Sequence, residues 1–123
     1  MTEKNRKILI CDDEEGIRES LKLILEDHYD LILTAESEQC LDCLAHTPDV
    51  DLVMLDIKMP NKNGLETLKE IKAKHPSQKV MMVTGYQSVE LISELTELGA
   101  EGYVTKPFSK ETILDKTIHI LRI

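Results

Sequence analysis

Residues 52–60 read Leu-Val-Met-Leu-Asp-Ile-Lys-Met-Pro. Four apolar residues run together and stop at Asp56, and a turn-forming stretch, Pro60-Asn61-Lys62-Asn63-Gly64, follows. A short continuous apolar run suggests a strand covered on both faces, as in a parallel sheet. The same pattern recurs in both directions along the chain. Ile8-Leu9-Ile10-Cys11 precedes it and ends in Asp12-Asp13-Glu14-Glu15. Leu31-Ile32-Leu33 and Val80-Met81-Met82-Val83 are further runs, and Gly102-Tyr103-Val104 is a weaker fifth.

Segments with helical period lie between the runs. Ile17, Leu21, Ile24 and Leu25 share one face of the first, and Leu41 and Leu44 mark the second. Leu65, Leu68 and Ile71 mark the third, Val89, Ile92 and Leu95 the fourth, and Leu114, Ile118 and Leu121 the fifth. Thr47-Pro48, His75-Pro76, Gly99 and Lys106-Pro107 punctuate the elements, and Ser37 and Ser88 stand where they could cap helices. Strands alternating with helices imply a parallel sheet with helices on both faces. The fold class expected is α/β, a doubly wound five-stranded parallel sheet of order 2-1-3-4-5, flavodoxin-like, by analogy with other doubly wound folds.

With 123 residues, 41% of them hydrophobic, the chain fits a single domain, residues 1–123. It has no Trp and one Phe, so the core must be aliphatic. The polar start Met-Thr-Glu-Lys-Asn-Arg-Lys lacks the apolar stretch of a signal peptide, and no run approaches the ~20 residues of a membrane span. A cytoplasmic location is expected. A net charge of −8 argues against direct nucleic-acid binding and against an anionic membrane surface. Three cysteines do not make a disulfide framework. Cys40-Leu-Asp-Cys43 has C-x-x-C spacing, but with no second Cys or His pair nearby it reads as two small side chains on a helix. Cys11 reads as core. The histidines, His28, His46, His75 and His119, show no ligand spacing and read as surface residues.

Ligands of open α/β sheets bind beyond the carboxyl ends of the strands. Asp12, Asp13 and Glu14 follow the first strand, Asp56 the third, Thr84 the fourth, and Thr105, Lys106 and Pro107 the fifth. In the expected order these strands are neighbours. Carboxylates crowded together repel one another, and a divalent cation relieves that. Mg²⁺ suits oxygen ligands and needs only one or two carboxylates with a phosphate oxygen. A lysine can pair with a phosphoryl oxygen, a threonine hydroxyl can donate to it, and an aspartate can accept it as an acyl phosphate. The residues together form the parts needed for phosphoryl transfer to Asp56.

Asp12-Asp13, Leu55-Asp56-Ile57-Lys58-Met59-Pro60, Gly64, Thr84-Gly85 and Lys106-Pro107-Phe108 give the chain a strong resemblance, from Lys7 to Leu121, to the receiver domain of two-component response regulators. The resemblance implies that Asp56 is the phosphoacceptor. It implies that Asp13, Asp56 and the Lys58 backbone carbonyl bind Mg²⁺, with Asp12 helping directly or through water. Lys106 and Thr84 would hold the phosphoryl group, and Lys106-Pro107 would be a cis peptide. Thr84 and Tyr103 would be the switch pair, remodelling the face of helix four, strand five and helix five toward an output protein. The donor would be a phosphohistidine on a sensor histidine kinase or phosphotransfer protein, and phosphorylation could bring a homodimer. Lys58 and Tyr86 fall where such domains tune loss of the phosphoryl group, and their bulk predicts slow self-dephosphorylation. Such a domain assists its own phosphorylation without turning over a separate substrate.

A flavin module of the same architecture needs a hydroxyl- and glycine-rich loop after the first strand, where this chain has Asp12-Asp13-Glu14-Glu15. A haloacid-dehalogenase-like phosphatase wants a second Asp two residues after the nucleophile, where this chain has Lys58. A degenerate receiver that only binds partners is opposed by the intact set Asp12, Asp13, Asp56, Thr84 and Lys106. The segment reads either as a stand-alone receiver, as in chemotaxis or phosphorelays, or as a domain excised from a larger regulator. Val83-Thr84-Gly85-Tyr86 and Leu98-Gly99-Ala100 resemble receivers attached to transcriptional activators.

Overall fold

The computed structural model describes residues 6–85 and 88–123. Strands β1 (Lys7–Cys11), β2 (Asp30–Thr34), β3 (Val50–Leu55), β4 (Val80–Thr84) and β5 (Gly102–Thr105) alternate with helices α1 (Glu15–Leu25), α2 (Ser37–His46), α3 (Gly64–Lys74), α4 (Val89–Glu97) and α5 (Lys110–Leu121). The five strands form one sheet in the order β2-β1-β3-β4-β5, and the adjacent pairs are parallel. Chain order and spatial order part between β2 and β3, so the switch point lies where β1 meets β3. Among the described residues, no helix is long and apolar enough to cross a membrane.

Each apolar run supplies both layers of the core, because successive side chains of a strand point to opposite faces. Ile8, Ile10, Leu52, Met54, Met81 and Val83 pack with Leu21 and Leu25 of α1 and Ile113 and Ile120 of α5. Leu9, Cys11, Val53, Leu55, Val80 and Met82 pack on the other face with Cys40, Leu44, Leu68, Ile71 and Leu95 of α2, α3 and α4. The edge strand β2 is the exception: none of its residues is buried, and Leu33 is 37% exposed. Its continuous apolar run therefore does not mark a strand covered on both faces. An edge position leaves it partly wet whatever its composition.

Three helices begin at residues whose side chains cap them. Asn63 accepts from the Glu66 amide, Ser88 from the Leu91 amide and Ser109 from the Thr112 amide. Ser37 departs from the expected capping role. It is buried, and its hydroxyl donates to the Lys62 carbonyl and accepts from Thr67, so it ties α2 to α3. Two helical faces also differ from the sequence reading. Val89 is 79% exposed, while Leu95 carries the buried face of α4. On α5 the buried face runs through Ile113, Thr117, Ile120 and Leu121, with Leu114 only partly buried against it. Thr117 escapes a purely apolar reading because its hydroxyl is satisfied locally by the Ile113 carbonyl.

Two glycines have steric reasons to be glycine. Gly99 adopts φ 96°, a left-handed conformation that closes the end of α4. Gly64 lies hard against the backbone that carries Asp56: a Cβ there would collide with the Asp56 carbonyl oxygen and come within 2.7 Å of the Ile57 Cα.

Candidate functional site

The site forms where β1, β3 and β5 end. Asp12 is nearly inaccessible at the close of β1 and Asp56 is almost as buried at the close of β3. The Asp56 amide donates to the Cys11 carbonyl, which sets the two strand ends side by side. Asp12 Oδ1 accepts from the Glu14 amide and folds the chain into α1. The Lys106–Pro107 peptide is cis, and the Lys106 amide donates to the Thr84 carbonyl, which registers the end of β5 on β4. Thr84 itself is buried.

The side chain of Lys106 returns over the acidic rim. Its Nζ lies 2.8 Å from Asp12 Oδ2, 3.2 Å from Glu14 Oε1 and 3.3 Å from Asp56 Oδ2. One ammonium thus faces three carboxylates. Asp12 Oδ2 is buried, and the Lys106 ammonium is the cation it faces. The other Asp56 oxygen accepts from the Ile57 amide.

Burial dominates the acid–base behaviour. It raises the Asp56 carboxyl to about 6, with the Asp12 charge adding to the rise and Lys106 opposing it. Burial also raises Asp12, against the pull of Lys106 and the Glu14 amide. For Lys106, burial works to lower the ammonium, but the surrounding carboxylates outweigh it and hold the group above its ordinary value. A cation charge matches this imbalance. Asp12, Asp13, Glu14 and Asp56 each offer a carboxylate oxygen within 4.8 Å of the others. An all-oxygen set of this kind, with two of its carboxylates buried and only one ammonium facing them, fits Mg²⁺.

The sequence-read residues sort by position. Asp12, Asp56 and Lys106 meet directly, with Asp13 exposed at the same rim. Thr84 and Thr105 are paired in register at the ends of β4 and β5. Lys58 is exposed and lines a cleft of about 680 Å³ with Ile57, Met59, Asn63, Gly85, Ser88 and Leu91. Tyr103 is half-buried on β5, against the α2–α3–α4 layer. Tyr86 lies outside the described residues. Two contacts at the site have no counterpart in the sequence reading. Glu14 was placed on the rim, but its pairing with Lys106 spans 92 positions and leaves no local signal. Arg18, one turn into α1, donates from Nη1 to the Asp12 carbonyl at 2.8 Å and braces the acidic turn; a lone helical arginine does not stand out in sequence.

A model of the response regulator receiver domain family matches residues 8–118. The chain belongs to that family. Among relatives of this receiver domain, the transcriptional regulatory protein YdfI of Bacillus subtilis is 40% identical over 109 residues, which cover 87% of this chain and 51% of YdfI. The chain therefore spans about half the length of that relative. The chemotaxis protein CheY of Halobacterium salinarum is 34% identical over 116 residues, covering 94% of this chain and 97% of CheY. Among solved structures, the CheX–CheY–BeF3–Mg complex of Borrelia burgdorferi has a CheY-like match with a TM-score of 0.88 at 25% identity, covering 94% of this receiver domain and 88% of the matched chain. The receiver domain is a signalling switch of two-component systems, and its five-stranded order is the CheY-like one.

Proposed function

We propose that this receiver domain takes a phosphoryl group onto Asp56 from a phosphohistidine of a sensor histidine kinase or histidine phosphotransfer protein. The observation that carries the reading is the placement of Lys106 Nζ 3.3 Å from the Asp56 carboxylate and 2.8 Å from Asp12. An Asp56 oxygen attacks phosphorus, the phosphorus–nitrogen bond of the donor breaks, and an acyl phosphate forms on Asp56. The ammonium of Lys106 moves from its carboxylates to a phosphoryl oxygen, and the Thr84 hydroxyl donates to another.

Asp12, Asp13, Asp56 and the Lys58 backbone carbonyl are the residues that hold Mg²⁺. Bound there, the ion offsets charge on the transferring oxygens. Tyr103 with Thr84 carries the switch, and the α4–β5–α5 face carries the signal to an output protein, with a homodimer as one outcome of phosphorylation. Lys58, and Tyr86 beyond the described residues, shield the acyl phosphate and slow its hydrolysis. The reading places the domain in the cytoplasm with no separate substrate turned over and no direct contact with nucleic acid or membrane.

Incubation with a small phosphodonor and Mg²⁺, followed by intact mass measurement, tests this. One added phosphoryl group on the parent and none on Asp56→Asn is the expected pair of results. Phosphoryl mass retained by Asp56→Asn, or gained equally without Mg²⁺, would overturn it. A parent protein that takes up no phosphoryl group favours the degenerate, interaction-only receiver. Loss of the phosphoryl group within seconds refutes the slow-hydrolysis part alone.

A further inference from the structure

The turn that carries the acidic residues from β1 into α1 is built without the usual helix cap. Glu14 stands at the cap position of α1, and its side chain makes no capping hydrogen bond. Two bonds to Asp12 hold the turn instead. Its Oδ1 accepts from the Glu14 amide at 2.9 Å, and its carbonyl oxygen accepts from Arg18 Nη1 at 2.8 Å. Arg18 is half-buried, and its backbone also starts the helix, the amide donating to the Glu14 carbonyl at 3.1 Å. Arg18 thus closes a ring over residues 12–18, with its backbone at one end and its guanidinium at the other.

The carbonyl that Arg18 grips belongs to the peptide joining Asp12 to Asp13. On the other side of Asp12, its amide donates to the Thr34 carbonyl at 3.1 Å. Both peptides flanking Asp12 are therefore fixed, the first by β2 and the second by Arg18. The second sets the direction in which Asp13, exposed on the rim, leaves the strand. We propose that Arg18 is a positioning residue for the divalent cation, holding the Asp12–Asp13 peptide so that both carboxylates converge on one point; this rests on the reading of those two residues as Mg²⁺ ligands. A charge-assisted bond from a guanidinium is strong enough to fix a peptide plane. Groups that orient metal ligands from behind govern metal affinity by ~10–100-fold. Charge alone works the opposite way. A cation at the rim repels a second one, so an arginine acting only through its charge would weaken Mg²⁺ binding. The two roles therefore predict changes of opposite sign when Arg18 is lost.

Mg²⁺ is titrated into the metal-free full chain, and binding is followed through the backbone amide resonances of the rim by two-dimensional NMR. Arg18→Met keeps the apolar stem and removes the donor, and it should bind Mg²⁺ about tenfold more weakly than the parent. Arg18→Ala should do the same, and it takes over the test if the Met variant fails to fold, as checked by circular dichroism in EDTA. Arg18→Lys keeps the charge and a donor. Because the bond comes from the single atom Nη1, this variant should stay within about threefold of the parent. Donor-less variants that bind Mg²⁺ as tightly as the parent, or more tightly, overturn the proposal. So does an Arg18→Lys protein as weak as Arg18→Met, because the donated bond is then not what counts. A parent chain without saturable Mg²⁺ binding overturns the metal reading and the proposal with it, and the parent titration alone tells that failure from the others.

Discussion

Replacing Asp56 with Asn in metal-free protein should make the chain more stable at neutral pH, although it removes the residue proposed to react. Burial, reinforced by the charge of Asp12, raises the Asp56 carboxyl from its ordinary 3.8 to about 6. The folded chain therefore holds this proton more tightly than the unfolded chain. Stability falls as pH rises from about 4 to about 6 and stays low above that. The gap is worth roughly 3 kcal/mol at neutral pH, at about 1.4 kcal/mol per pH unit. Asn resembles the protonated acid and keeps an oxygen for the Ile57 amide, so the variant escapes that cost. The gain corresponds to roughly 10 °C in Tm for a chain of this size. It should shrink to about 1 kcal/mol at pH 4.5, where much of the parent's carboxyl is already protonated. Urea unfolding in EDTA, followed by far-ultraviolet circular dichroism because the chain has no Trp, measures both values. Mg²⁺ at about 100 times its Kd should return about 2.7 kcal/mol to the parent. If the Asn variant were no more stable than the parent at pH 7.5, or equally advantaged at both pH values, the burial argument would fail.

Gly64→Ala should cost about 3 kcal/mol or more, because the added methyl meets backbone at Asp56 and Ile57 rather than a movable side chain; a thermal melt within a degree or two of the parent contradicts this. Glu14→Gln should leave stability within about 1 kcal/mol, since Glu14 is 61% exposed at its side chain. The same change frees Lys106 of one competitor, so affinity for beryllofluoride, measured with Mg²⁺ by calorimetry, should rise roughly two- to fivefold; a fall would show that Glu14 supports the site instead. Glu101→Ala should cost about 2 kcal/mol in urea unfolding, because Glu101 accepts from both Lys72 Nζ at 3.0 Å and the Val80 amide at 2.8 Å. Leu52→Ala should cost about 3 kcal/mol, as a fully buried β3 side chain in the core layer shared with α1 and α5 leaves a cavity.

The amino-acid order carried the strands and their chemistry by itself. Runs such as Leu52–Leu55 must be covered on both faces to leave water, and a residue that directly follows such a strand is delivered to the rim whatever the rest of the chain does. Asp12, Asp56 and Lys106 were legible for that reason, since each sits one step beyond a strand. What local pattern cannot carry is the outcome of contacts between distant segments. The wetness of β2 follows from its edge position, and the exposure of Val89 from the pose of α4. The use of Ser37 as a tie to Lys62 and Thr67 follows from the docking of α2 on α3. Tertiary packing alone set Glu14 on Lys106, Arg18 on the Asp12 carbonyl and the Cys11 thiol on the Glu36 carbonyl. Side-chain pairing at long sequence separation depends on three-dimensional distance, and spacing along the chain holds no record of that.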